Sequence, residues 1–225
     1  MNGFEKQELE TQGMMSRLFG SKPGHNALVE INNFLAESTA ATELTEEIVS
    51  NFIKNWGAKF DSSNIEYRSS MYRKVADHVY ISAVSKDDPV FEETKHLAQV
   101  LELPEKLQRL ADNGAKKVAY FSRCRKIISG EEPLTISEIN NVFGYDYEDG
   151  YDIRVQVFHD YLNKKFDEIA EQQRFSPDEE TALREICTKL DIPYEFKPNI
   201  QNALDKYRYL WSAENAPLGD IKRSE

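Results

Sequence analysis

The chain has 225 residues and carries 39 acidic side chains against 28 lysines and arginines, which gives a net charge of −11 at pH 7. This charge argues against nucleic acid and anionic membranes as electrostatic partners. A hydrophobic share of 40% argues for a folded chain, and no apolar run reaches the roughly 20 residues that a membrane-spanning helix requires, so we expect a soluble, cytoplasmic protein.

Helical periodicity runs through most of the sequence. Apolar residues recur three and four positions apart over long stretches, and glycine and proline number only 10 and 8. No alternation of strand-like and helix-like segments interrupts this spacing, which is typical of amphipathic helices. The sequence therefore predicts an all-α protein, built as a multi-helix bundle.

The two ends of the chain are predicted to differ from its middle. Residues 1–25 are polar and are predicted to form a flexible N-terminal segment. Apolar side chains between positions 4 and 19 offer an alternative, in which this part makes peripheral contact with a membrane surface or a partner. A short helix is expected at 26–37, and residues 214–225 are expected to form a flexible tail.

An internal repeat begins after this short helix. LTEEIVSNF at 44–52 returns in altered form as LTISEINNV at 134–142, an offset of 90 residues. In each copy a threonine, Thr45 or Thr135, is predicted to cap the N-terminus of a helix whose first turn is acidic. The next helix is expected at about 65–85 in the first copy, and at 152–172 in the second.

The third helix repeats as well. Asp88 and Ser176 are predicted to cap it, and each is followed by a proline at the first helical position, where proline is favoured. A fourth helix follows in both copies, and the residues expected to face the core in the first are Leu107, Ala111, Ala115, Val118 and Phe121. We therefore predict two related four-helix units at 26–130 and 131–213.

One phrase of the second unit resembles a known family. RFSPDEETALREICTKLDI at 174–192 is similar to the TerB-like helical modules of the tellurite-resistance TerB family, in which an acidic turn leads into a helix. The resemblance implies a cap, a first-turn acid and two core residues: Ser176, Glu179 or Glu180, and Leu183 with Ile186. The family's Asp-Gly is replaced here by Arg174-Phe175, which removes one carboxylate. What the resemblance implies is a helical scaffold that binds macromolecules, in a stress or defence setting.

The most acidic stretch is FGYDYEDGYDIR at 143–154, interpreted as the turn between the first two helices of the second unit. Asp146, Asp149 and Asp152 are candidate metal ligands there. An EF-hand frame with Gly150 at loop position 6 places tyrosines at ligand positions 1 and 3, so this loop type is excluded. An acidic contact surface is the favoured interpretation, and a divalent-metal module or metal-dependent hydrolase is the alternative.

Tyrosine and tryptophan are enriched at binding hot spots, and they supply the candidate contact residues. These lie in the acidic stretch and on the last helix: Tyr145, Tyr147, Asp149, Tyr151, Tyr209 and Trp211. Trp211 also fits the core, which is the preferred interpretation for that residue.

No catalytic motif accompanies these residues. The sequence has no nucleophile elbow, phosphate-binding glycine loop or zinc-ligand pair. Cys124 has basic neighbours that would lower its pKa, but on a helix without a histidine partner we interpret it as an ordinary thiol, and Cys187 is expected to be buried and reduced. We predict a non-enzymatic interaction or adaptor protein with no cofactor, whose partner is another protein.

Overall fold

A computed structural model of the chain describes residues 4–9, 23–60 and 64–216. Within these ranges every regular element is a helix, which confirms the predicted all-α class. Residues 1–3 and 10–22 of the predicted N-terminal segment and 217–225 of the predicted tail lie outside the described residues. No helix in the described part is both long enough and apolar enough to cross a membrane.

The helices follow one another through short connections, with a 3₁₀ turn at Ala41–Glu43 between the first two. Their bounds are α1 Pro23–Glu37, α2 Glu46–Trp56, α3 Ile65–Tyr80, α4 Pro89–Val100, α5 Glu105–Ser129, α6 Ile136–Phe143, α7 Tyr147–Gln172, α8 Pro177–Lys189 and α9 Pro198–Glu214. Helix α1 packs on α2 and α3, α4 packs on α3 and on the 3₁₀ turn, and α7 packs on α8.

The described residues divide into two compact units. The first holds the residues up to 122 together with 141–144, and the second holds 123–140 and the residues from 145 onward. Helices α5 and α6 therefore contribute residues to both units. The limit predicted at residue 130 lies within the second unit, at the end of α5.

Four helices start at the predicted caps. Thr45 Oγ1 accepts from the Ile48 amide at 3.4 Å, and Asp88 Oδ1 accepts from the Val90 amide at 3.2 Å. At Ser176 the hydroxyl accepts from the Glu179 amide at 3.2 Å, while the Glu179 carboxylate accepts from the Ser176 amide at 2.8 Å. Such reciprocal capping boxes satisfy two amides that the helix leaves without partners.

Thr135 and Glu138 form the same box at the start of α6, with distances of 3.4 Å and 2.8 Å. The four caps expected from the repeat are thus confirmed, because short polar side chains before an apolar helical pattern indicate helix starts.

Helix α3 buries a continuous apolar face. Its buried residues recur three and four positions apart, and Met71, Val75 and Val79 lie among them. In the second unit, Phe158, Leu162 and Ile169 of α7 are buried in the same way. Both stripes confirm the spacing-based prediction.

Helix α5 buries part of the predicted stripe. Ala111 and Ala115 are buried as expected. Val118 is 42% exposed and Phe121 is half-buried, so the expectation that both face the core is wrong. Beyond Ala115, the buried apolar residues are Ala119, Tyr120, Cys124 and Ile127.

Candidate functional site

The predicted acidic turn is the beginning of helix α7. The helix starts at Tyr147 rather than near 152, and Gly150 is buried within it. Asp146 is the N-cap: its carboxylate accepts from the Asp149 amide at 2.9 Å, and the Asp149 carboxylate accepts from the Asp146 amide at 3.1 Å. The interpretation of 145–152 as a loop is therefore corrected to a cap followed by the first turns of a helix.

This capping explains much of the local acidity. Carboxylates stabilise a helix N-terminus by satisfying its free amides and by facing the positive end of the helix dipole. Asp146 and Asp149 perform both tasks here. Among the described residues, no three Asp, Glu, His or Cys side chains are grouped so that they could hold a metal ion.

A buried arginine lies beneath the tyrosines of this helix. Arg154 is 0% exposed, and its guanidinium carbon lies 4.6 Å from the centre of the Tyr147 ring and 5.8 Å from that of Tyr151. Its Nη2 donates to the Tyr147 carbonyl at 3.2 Å. A cation held against aromatic faces away from water is a favourable contact, so Arg154 fixes the positions of both rings.

The Tyr147 side chain is both exposed to solvent and held in place. Its side chain is 44% exposed, its ring centre lies 5.7 Å from that of Tyr151, and its hydroxyl donates to the Asp191 carbonyl at 3.3 Å. Glu148 and Asp152, one turn apart, are both exposed beside it. We refer to Tyr147, Glu148, Tyr151 and Asp152 as the α7 face.

Tyr145 precedes this face and is half-buried. Burial raises the pKa of its phenol, and the Asp149 carboxylate adds to the rise. Tyr145 therefore remains a neutral hydrogen-bonding group at neutral pH rather than an anionic one.

The other candidate contact residues lie on α9. Tyr209 is 72% exposed, whereas Trp211 is only half-buried, so the preferred interpretation of Trp211 as a core residue is not met. The helix is held by buried Leu204 and by Arg208, whose Nε lies 3.0 Å from Glu180. Among the described contacts none joins Tyr209 to the α7 face.

Both cysteines are buried and free. Burial raises the pKa of Cys124 to about 12, against an opposing effect of Arg154, and burial raises that of Cys187 to about 11. Arg123, which the sequence places beside Cys124, forms a buried ion pair with Glu132 at 3.3 Å. The interpretation of Cys124 as an unreactive thiol is supported, because a raised pKa leaves little thiolate at neutral pH.

A hydrogen-bonded cluster in the first unit was not anticipated from the sequence. The hydroxyls of Tyr72 and Tyr80 both donate to Asp112 Oδ1, at 2.5 Å and 2.9 Å, and Tyr80 also contacts Thr94 at 3.2 Å. Burial raises the pKa of both tyrosines far above its usual value. They are therefore neutral donors and not phenolate nucleophiles at neutral pH.

This cluster borders a pocket of about 510 Å³. Charged side chains of both signs line it, four of them basic: Lys86, Lys95, Arg109 and Lys116, with Glu92 and Asp112. Part of the basic charge is already neutralised, since Lys95 lies 3.5 Å from Glu92 and Arg109 pairs with Glu105. Residues from separate helices form the pocket, so no local sequence pattern marks it.

Comparison with known proteins adds no family assignment. No family model, no curated protein and no solved structure matches the chain. The TerB-like resemblance stays a prediction.

Proposed function

We propose that the protein is a non-enzymatic helical adaptor that binds a basic segment of a protein partner through the α7 face. The observation that carries the proposal is Tyr147, an exposed aromatic side chain held in place by buried Arg154 and by the Asp191 carbonyl. A contact residue that is ordered before binding loses little conformational entropy on association.

The charges of the α7 face determine the kind of partner. Tyrosine is a frequent hot-spot residue, and here it stands next to the exposed carboxylates of Glu148 and Asp152. Complementary charge accelerates encounter and selects the correct partner. A lysine- or arginine-rich segment with one apolar residue for Tyr147 suits this surface.

The wider setting also belongs to the proposal. Four helices follow in the same order in each copy of the repeat, with matching caps at Thr45 and Thr135 and at Asp88 and Ser176. This order supports two related four-helix units of TerB-like type. The proposal also includes that this adaptor acts in the cytoplasm during stress or defence.

The test compares two charge reversals on the same helix. Glu148→Lys with Asp152→Lys alters the α7 face, and Asp167→Lys with Glu171→Lys is the matched control, since both pairs are exposed and four residues apart. Each full-length chain is immobilised, and proteins captured from an extract of the native host are quantified by mass spectrometry. We expect one partner to be retained equally by wild type and control, and retained roughly tenfold less by the face variant, a loss of about 1.4 kcal/mol.

Equal retention by the two variants would contradict the proposal, provided circular dichroism shows both to be folded. Calorimetric titration of the full chain with Ca²⁺, Mn²⁺ and Mg²⁺ tests the alternative. Tight binding of a metal ion that disappears in Asp149→Ala would contradict the adaptor proposal and favour a metal-binding module.

A further inference from the structure

Residues 4–9 lie along helix α1 and are held by asparagine side chains. Asn33 Oδ1 accepts from the Gln7 amide at 2.8 Å, and Asn33 Nδ2 donates to the Gln7 carbonyl at 3.0 Å. Asn32 Nδ2 donates to the Glu5 carbonyl at 3.0 Å. The two asparagines thus bind main-chain groups, as the edge of a sheet would, and these bonds do not depend on the sequence of the bound segment.

Asparagine is out of place at this position of α1. Leu28, Ile31 and Leu35 of this helix are fully buried, and Asn32 itself is only 3% exposed. Asparagine is a poor residue for a helix interior, and a buried amide without partners is costly. Asn32 and Asn33 are explained if their task is to hold an extended chain.

Two further contacts involve side chains of the bound segment. Lys6 pairs with Glu37 at the end of α1, and the Tyr67 hydroxyl donates to Gln7 Oε1 at 3.0 Å. The site therefore favours a basic residue followed by one with an amide acceptor. We call Asn32, Asn33, Glu37 and Tyr67 the α1 groove.

The segment itself is lightly attached. Glu5, Lys6 and Glu8 are exposed, Leu9 is 37% exposed, and only Phe4 and Gln7 are half-buried. Little apolar surface is removed from water, and burial of such surface is the main source of affinity. Another extended chain with the same backbone groups can replace it.

We propose that the α1 groove is a docking site for an extended segment of a partner protein that carries a basic residue followed by glutamine, and that residues 4–9 are its internal competitor. The groove belongs to the first compact unit and the α7 face to the second. The proposal therefore goes beyond the adaptor function above and does not depend on it.

The test uses a fluorescent peptide, NGFEKQELET, which copies residues 2–11. Its binding to full-length chains is followed by fluorescence anisotropy. Gln7→Pro in the protein removes the amide that Asn33 binds and the acceptor for Tyr67, so the internal segment is weakened. Because a tethered competitor acts at an effective concentration in the millimolar range, we expect the peptide to bind Gln7→Pro at least tenfold more tightly than wild type.

Matched variants separate the groove from unspecific binding. In the Gln7→Pro background, Asn33→Ala is expected to abolish peptide binding, and Asn55→Ala, which changes an exposed asparagine of α2, is expected to leave it unchanged. A peptide with proline in place of its glutamine should not bind either chain. The α7-face variant should bind the peptide as wild type does, so failure of one proposal is distinguishable from failure of the other.

Absence of peptide binding to a folded Gln7→Pro chain would overturn the proposal, as would binding that survives Asn33→Ala. A dimer of the wild-type chain that is lost in Gln7→Pro, measured by sedimentation, would assign the groove to a second copy and also overturn it.

Discussion

Asp112 accepts hydrogen bonds from two buried hydroxyls of the first unit. Tyr72 and Tyr80 both donate to its Oδ1 atom. We expect Asp112→Ala to lower the free energy of unfolding by about 2–3 kcal/mol, since it leaves two donors without this acceptor. Urea denaturation measures the loss.

Asp112→Asn is the comparison variant. Its amide oxygen still accepts a hydrogen bond, so it should lower the free energy of unfolding clearly less than Asp112→Ala does. Exposed Asp167→Ala should change stability by less than about 0.5 kcal/mol. If Asp112→Ala matched that control, the cluster would contribute nothing to stability.

Cys124 makes stability depend on pH in the alkaline range. Its pKa is raised from 9.0 to about 12 in the folded chain by burial. Above pH 9 the unfolded thiol loses its proton while the folded one keeps it, so the unfolded state is favoured. The contribution is fully present below pH 9 and is lost as the pH rises toward 12.

We expect the unfolding free energy to fall between pH 8 and 9.8, and to fall less steeply in Cys124→Ala. Cys187 and the buried tyrosines have raised pKa values that act in the same direction, but they are present in both chains and cancel in the comparison. Identical slopes for both chains would show that the thiol is not protected.

The candidate site depends on the N-terminus of helix α7. Asp146 satisfies an amide of the first turn, and loss of such a cap costs about 1 kcal/mol. We predict this loss for Asp146→Ala, with exposed Asp160→Ala on the same helix as the near-neutral control. Thermal melting followed by circular dichroism provides the measurement, and equal melting temperatures would contradict the capping role.

The helix starts show what local sequence can predict. Thr45, Asp88, Thr135 and Ser176 were predictable because a cap and its partner amide lie within a few residues of each other. The start of α7 was missed because Gly150 is typical of turns and because the box there uses Asp149 where glutamate or glutamine is more usual. Helical glycine is tolerated when a buried position requires a small residue.

Contacts between distant residues account for the other misses. The Asn33–Gln7 bonds join positions 26 apart, and the Tyr72–Asp112 bond joins positions 40 apart. Neither pair has a local signature, so the sequence predicted residues 4–9 as part of a flexible segment, or of one that contacts a membrane surface or a partner, and did not predict their contact with α1. Arg154 was likewise unmarked, because a lone arginine in a helix is usually solvated.

For the molecule as a whole, net charge controls self-association. At pH 7 the chain carries −11, and its isoelectric point is about 5.0. Like charges keep chains apart, and this repulsion vanishes at the isoelectric point. We expect the second virial coefficient from static light scattering to be positive at pH 7 in low salt and to turn negative near pH 5.

High salt distinguishes charge repulsion between chains from specific association. At 0.5 M salt the screening length is only a few ångströms, so the value at pH 7 should drop while any specific complex stabilised by apolar contacts persists. A coefficient that does not change between pH 7 and pH 5 would contradict the prediction.

The arginine beneath the tyrosines of α7 has one more consequence. Arg154 is sealed from solvent, yet its guanidinium lies 4.6 Å from the centre of the partly exposed Tyr147 ring. Its Nε–H resonance should therefore carry a large ring-current shift and exchange slowly with water. A molecule that covers Tyr147 changes the surroundings of the ring and should move that resonance without touching the arginine, which makes Arg154 an internal spectroscopic reporter of what happens on the surface above it.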